Sequence, residues 1–262
     1  MELIFLGTGT STGVPMIGSE PHQCDVGNPK NWRTRTSAHL VMDGFHIQID
    51  AAPELRLQCL WNKINKVDLV ILTHGHSDHI MGMDDLRRFC TMNGGSALDV
   101  YSCEDGLQRV RESFAYAIRD KPMYLGYPAF FLHDFPQMPS ELELACGKVR
   151  ATLLPHGKFQ VLGLVFEEKS SGKRLAYYTD CHAVTPLAYE LAHGADVLVI
   201  DGLRHKPHPS HLTLEQAVEV SQNIQAEQTY LIHIGHWIDH ERDSKLLPHG
   251  VALAYDGLKI NL

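Results

Sequence analysis

Seven short apolar runs stop abruptly at polar residues, and this pattern limits the fold more than any other feature of the chain. The runs cover residues 2–6, 46–49, 67–72, 149–154, 174–178, 195–200 and 229–232. They are followed in turn by the Gly7–Thr8–Gly9 turn, Asp50, the segment beginning at Thr73, the Pro155–His156–Gly157 turn, Thr179–Asp180, Asp201–Gly202 and His233. Runs of four to six residues rich in β-branched side chains are too short for buried helices and read as strands. Between them, residues 78–90, 104–118, 186–193 and 213–225 carry helical spacing. The last opens with Thr213 as N-cap and Gln216 three positions on, a capping-box pattern. Strands alternating with helices, with no internal repeat or low-complexity segment, predict one layered α/β domain over residues 1–262.

Composition narrows the function. The chain has 262 residues, 44% of them apolar, which is enough to bury a large core and excludes a disordered tail or a disulfide-stapled miniprotein. It holds 17 histidines, more than its 9 Phe, 9 Tyr or 8 Met, and that excess points to metal or proton chemistry. A formal charge of -8 gives no general attraction for polyphosphate, so nucleic acid is disfavoured and a small phosphate ester is the better partner. The six cysteines Cys24, Cys59, Cys90, Cys103, Cys146 and Cys181 are scattered and contain no Cys-x-x-Cys pair, so reduced core thiols are expected. The opening residues lack a secretory pattern and no stretch reaches membrane-span length. A soluble cytoplasmic protein without membrane attachment follows as the expectation. Residues 121–140 hold four of the 13 prolines and read as a packed surface loop or a flap. A homodimer contact would fall there, although no pattern argues for one.

The densest chemical signal is His74–Gly75–His76–Ser77–Asp78–His79, directly after the run 67–72. Three imidazoles and a carboxylate within six residues, between a buried strand and a helix, are nitrogen and oxygen donors suited to zinc or similar ions. His74 and His76 can turn to one ion while Asp78 and His79 face another.

This motif resembles the H-x-H-x-D-H signature of the metallo-β-lactamase superfamily, which it matches at every defined position. The resemblance implies a four-layer αββα sandwich with two divalent metal ions, Zn2+ or Mn2+, at one edge of the sheets. It implies that His74, His76 and His156 hold one ion, that Asp78, His79 and His233 hold the other, and that Asp180 lies between. A water shared by two such ions is acidified toward neutrality and attacks as hydroxide, a chemistry suited to phosphodiesters, thioesters, lactams or lactones. Asp50 and Asp201, each ending a strand, are candidates to orient the ligand histidines.

The turn at residues 7–15, the segment Arg33–Thr34–Arg35–Thr36–Ser37, the segment 201–204 and Pro209–Ser210–His211 are similar to the branch shared by PhnP-like phosphodiesterases and ribonuclease Z. That likeness implies a phosphate contact or leaving-group protonation by His211, counted with Asp78 as catalytic. A depressed pKa is expected for His211 if it sits at the positive end of a helix dipole. Arg204, Lys206, Arg33 and Arg35 are candidates for a terminal phosphate, although Arg33 or Arg35 can equally pin the N-terminal hairpin. His182, His205 and His208 lie near the site in sequence. Near relatives carry a Cys-x-Cys-x-x-Cys hairpin completed by a fourth ligand. Here those places read Ser19, Pro21, Cys24 and His236, with His22 nearby, so a structural zinc on Cys24 and His236 is disfavoured and the 28–35 loop needs packing, with Trp32 as the candidate anchor. The implied function is hydrolysis of a small cyclic phosphate ester, such as phosphoribosyl 1,2-cyclic phosphate. The alternatives are tRNA 3′ processing and a lactonase or thioesterase.

Overall fold

A computed structural model describes residues 1–135 and 137–262. Two seven-stranded sheets face each other. The first contains β1 (Glu2–Gly7), β2 (Ser37–Met42), β3 (Phe45–Ile49), β4 (Leu69–Ile71), β5 (Leu98–Ser102) and β6 (Phe130–Asp134). The second contains β7 (Ser140–Leu144), β8 (Gly147–His156), β9 (Phe159–Glu168), β10 (Arg174–Tyr178), β11 (Val197–Asp201), β12 (Gln228–Ile232) and β13 (Val251–Leu253). The chain then returns to the first sheet, where β14 (Lys259–Asn261) pairs antiparallel with β1.

Side chains alternate across each strand, and here both faces are covered. In β1, Leu3 and Phe5 enter the core between the sheets, whereas Ile4 and Leu6 enter the core beneath the outer helices. In β11, Val197 and Val199 face the other sheet, and Leu198 and Ile200 face the second helical layer. Two-sided burial is why these strands read as continuous apolar runs rather than alternating ones. Each fully buried Leu, Ile or Val contributes roughly 1.5 to 3 kcal/mol of transfer free energy.

Helices α1 (Leu55–Asn62), α2 (Ser77–Ile80), α3 (Arg87–Met92) and α4 (Glu104–Ser113) cover the first sheet through Leu55, Cys59, Ile80, Phe89, Cys90 and Val110. Helices α5 (Pro186–Ala192) and α6 (Leu214–Ile224) cover the second through Ala188, Ala192, Leu214, Ala217, Val220 and Ile224. A short α7 (His240–Ser244) precedes β13. The architecture is the four-layer αββα sandwich.

Some elements differ from the sequence reading. The helix expected over 78–90 is split into α2, a 3₁₀ turn at Met83–Leu86, and α3. Gly82 causes the split: its N–H donates to the Ala51 carbonyl at 2.8 Å, and a Cβ there would lie 1.9 Å from the Ala52 carbonyl oxygen. The helix expected over 104–118 ends at Ser113 and continues as a 3₁₀ turn, Ala115–Ala117. His156 is the last residue of β8 rather than the first beyond it. The sequence pattern does not reveal α1, α7, β2, β5, β6, β7, β9, β13 or β14. Of these, β6 lies inside the stretch 121–140 read as loop; Pro136 of that stretch falls outside the described residues.

Parallel pairing decides where the chemistry collects. Strands β3 to β6 run parallel, and so do β10 to β13. Parallel strands present their carboxyl ends at one edge. Asp50, Thr73, Asp180, Asp201 and His233 all stand at or just beyond such ends. All six cysteines are free thiols, five of them buried, as expected. Among the described residues, no helix is long and apolar enough to cross a membrane.

Candidate metal centre

The edge of the two sheets gathers the predicted residues into three adjoining groups. The ligand atoms of His74, His76 and His156 lie within 4.8 Å of one another, as do those of Asp78, His79, Asp180 and His233. A third group joins His156, Asp180 and His211. Asp180 Oδ2 stands 3.9 Å from His74 Nε2 and 3.3 Å from His79 Nε2, between the first two groups. Its Oδ1 lies 3.1 Å from His233 Nδ1.

Four of the five imidazoles have polar partners outside the ligand groups. Thr73 Oγ1 contacts His74 Nδ1 at 3.0 Å, and His156 Nδ1 donates to the Ser210 carbonyl at 2.8 Å. His79 Nδ1 donates to Asp50 Oδ2, whose carboxylate also accepts from the Thr73 N–H and hydroxyl. His233, with φ of 57°, is cradled by Thr10 and Thr36 at 3.1 and 3.2 Å. The partners of His74, His79 and His156 fix which nitrogen would face a metal, whereas Thr10 touches Nε2 and Thr36 touches Nδ1 of His233 and together hold its ring plane. Asp50 was expected in this role. Thr10 and Thr36 were missed, and the one signal for them was their place in the two Thr-rich turns.

The electrostatics suit a cation. Burial holds His74 well below its ordinary value and His233 down at about 3, which leaves neutral imidazoles able to ligate. His79 departs in the other direction: burial opposes its charge, but Asp180, Asp78 and Asp50 outweigh it and raise its pKa well above 6.5. Its Nε2 is buried without a hydrogen-bond partner and faces Asp78 at 3.4 Å as well as Asp180. Two buried carboxylates facing one orphaned nitrogen, with a third behind the ring, demand compensating positive charge, which a divalent ion would supply. The donor set of imidazoles and carboxylates fits zinc and manganese alike.

His211 lies beside this centre. Its ring stacks on His233 with centroids 4.7 Å apart, and its Nδ1 donates to Asp201 Oδ2 at 2.7 Å. The expected depression of its pKa is corrected. Burial does lower it, but the Asp201 hydrogen bond and Asp180 prevail, so the net shift is upward. His211 precedes the cap Thr213 of α6, and a bonded carboxylate outweighs the helix dipole.

Of the remaining candidates, His208 lies beside His211 with ring centroids 5.1 Å apart, and the others are engaged in contacts of their own. Arg33 is buried and spends its guanidinium on Thr8 Oγ1 and the Ala254 carbonyl, which makes it a strut of the N-terminal hairpin. Arg35 pairs with Glu54 at 2.9 Å. Arg204 donates to the carbonyls of Lys206 and Pro207 and lies over the Trp237 ring, which commits its guanidinium to its own loop. His182 accepts from the Gly157 N–H, His208 contacts Ser210, and His205 bridges Glu215 and Asp243. Among the described residues, no group of ligand atoms includes Cys24 or His236. Asp239 pins the loop in their place, accepting from Asp25 N, Asn31 Nδ2 and Arg242 N at 2.8 to 2.9 Å. Trp32, the expected anchor, is 58% exposed.

This fold and edge-of-sheet cluster define a metal-dependent hydrolase. The chain belongs to the β-lactamase superfamily domain family, whose model matches residues 45–234, in agreement with the resemblance carried by residues 74–79. Its fold is similar to the crystal structure of a new diphosphatase from the PhnP family, with TM-score 0.88 and 35% identity across 100% of this chain and 97% of the other. It is 36% identical over 263 residues to a Porphyromonas gingivalis protein named octanoyltransferase, covering 99% of this chain and 51% of that one. The chain thus spans about half the length of that relative. It is also 22% identical to ribonuclease Z of Bacillus velezensis, over 99% of this chain and 96% of that protein.

Proposed function

We propose that the chain hydrolyses a P–O bond in a small phosphodiester, a cyclic phosphate such as phosphoribosyl 1,2-cyclic phosphate being the leading form, with two divalent ions held by the groups described. The observation that carries this reading is the Asp201–His211–His233 arrangement, which aims an imidazole at the same edge as the metal ligands. Bound ions would supply Lewis acidity and an acidified water. His74, His76 and His156 would hold one ion, Asp78, His79 and His233 the other, and Asp180 would bridge them. Asp201 retains the Nδ1 proton of His211, so Nε2 is the atom presented to a leaving oxygen for protonation. A lactonase or thioesterase has no evident use for this residue.

Ribonuclease Z-like tRNA processing is the second reading, supported by the relatedness above. The net charge of -8 and the lack of a long basic Gly/Pro-rich arm in the sequence weigh against it. The octanoyltransferase name belongs to a chain twice as long and does not redirect the reading. Reaction in the cytoplasm, acting singly or as a homodimer, is consistent with this role.

Turnover of bis-p-nitrophenyl phosphate with and without chelator tests the chemistry. Metal-dependent hydrolysis that falls about 10²- to 10⁴-fold in His211→Ala at unchanged metal content is expected. Activity indifferent to chelator and to His211 would sink the reading. Efficient cleavage of precursor tRNA with none of the cyclic phosphate would reverse the order of the two.

A further inference from the structure

We infer that a cleft beside the metal centre seats a planar ring carried by the substrate, with Phe159 as the stacking face, so that the phosphodiester is an aryl or nucleoside-type ester. This rests on the phosphodiesterase reading but replaces its leading form, because phosphoribosyl 1,2-cyclic phosphate carries no planar ring and ends in a phosphate.

The cleft encloses about 370 Å³ and opens on the His74–Gly75–His76 side of the centre. Phe159 begins β9 just past the turn that follows His156. Its ring is 57% exposed and stands edge-on to His76, with centroids 5.5 Å apart and planes at 85°. A polar residue would serve a solvated turn without loss, whereas a half-exposed aromatic beside a ligand histidine offers a stacking surface.

The other lining decides between a ring and a second phosphate. Arg109 of α4 lays its stem across Gly75, where a Cβ would fall 2.7 Å from Arg109 Cγ. Its guanidinium is paired with Glu112 at 3.0 Å, and Asp105 lines the same cleft. Two carboxylates against one paired guanidinium leave no net positive charge for a phosphate. Gln108 and Gln160 complete the lining with neutral amides that can donate to and accept from a ring's polar edge. An apolar face, neutral amides and a surplus of negative charge fit an uncharged ring and disfavour a terminal phosphate.

The test uses two diesters with the same leaving group, 4-nitrophenyl phenyl phosphate and 4-nitrophenyl methyl phosphate, on the metal-loaded protein. The phenyl ester should show a KM lower by about fivefold or more, the span expected of one stacked ring. Phe159→Ala should bring the KM ratio toward one, and Phe159→Trp should retain it. A general structural defect would raise both KM values together and leave the ratio intact, which would overturn the proposal, as would a ratio near one in the wild type. If the wild type hydrolyses neither ester, the phosphodiesterase reading fails. Calorimetry with adenosine and ribose as probes then judges the cleft by itself: adenosine binding weakened by Phe159→Ala supports the ring seat, and equal or absent binding of the two removes it.

Discussion

His79 Nδ1 donates to Asp50 Oδ2 across 2.7 Å, with both side chains sealed from water. The carboxylate thereby sets the ring so that Nε2 faces Asp78 and Asp180. Asp50 has a φ of 57°, a backbone region that Asn also tolerates, so Asp50→Asn keeps the turn while removing the charge. Metal affinity in that variant should drop about 10- to 100-fold, read by competition with a chromophoric chelator. Undiminished affinity would show that the Asp50 charge does not support the ligand.

Metal removal should cost stability as well as activity. Asp50, Asp78 and Asp180 are buried around His79, and their repulsion is relieved most fully by a cation. Free metal at a thousandfold excess over its Kd stabilises the folded state by about 4 kcal/mol. In a chain of this size the melting temperature should fall on the order of 10 °C with chelator and recover with added Zn2+ or Mn2+. Identical melting curves would contradict metal binding at this edge.

Gly82 offers a test of how the motif is seated. The Ala51 N–H donates to the His79 carbonyl at 2.7 Å, and Gly82 returns a hydrogen bond to Ala51 at 2.8 Å, tying α2 to the segment after Asp50. A methyl group at Gly82 would collide with rigid backbone at 1.9 Å. Gly82→Ala should destabilise by about 2 kcal/mol or more and lower activity through displaced ligands. Denaturant unfolding together with metal affinity would register both effects.

Away from the centre, stability should depend on pH through His39. Burial holds its pKa down at about 4 from an ordinary 6.5, with a hydrogen bond to Gln48 only partly offsetting it. Between pH 6.5 and 4 the unfolded chain binds a proton that the folded chain refuses, so stability falls as pH falls. Full passage through that window costs about 3 kcal/mol. Urea unfolding of metal-free protein at pH 7 and pH 4.5 should show a smaller loss in His39→Gln than in the wild type. Equal losses would mean that His39 is not held neutral.

The clustering of the candidate ligand residues was legible because the chemistry and the fold share one signal. Strands buried on both faces stop where the backbone leaves the core, and Asp50, Asp180, Asp201 and His233 stand at those stops. The capping box of Thr213 and Gln216 marked the start of α6 for the same reason, since it satisfies local backbone groups. What escaped was set by distant contacts. The break at Gly82 is imposed by the Ala52 carbonyl some thirty residues earlier in the chain. Arg33 becomes a buried strut because Ala254, 221 residues away, offers its carbonyl. Loss of the hairpin cysteines was visible, but Asp239 as the replacement tie was not, because an isolated Asp carries no spacing pattern. Arg204 showed only its charge, and its turn toward Trp237 belongs to the folded loop.

Because the first half of the chain builds most of one sheet and the second half builds the other, the candidate metal ligands are divided between two stretches that must meet before the centre exists. His74, His76, Asp78 and His79 belong to the first sheet's connections, whereas His156, Asp180 and His233 belong to the second's. Neither sheet alone owns a complete ligand set. An ion held by both sets would be captured only after the sheets have docked, and would tie residues 74–79 to His233 across more than 150 residues of chain. A chain arrested halfway would offer scattered imidazoles and carboxylates without the buried pocket that gathers them, so metal occupancy would report completed assembly.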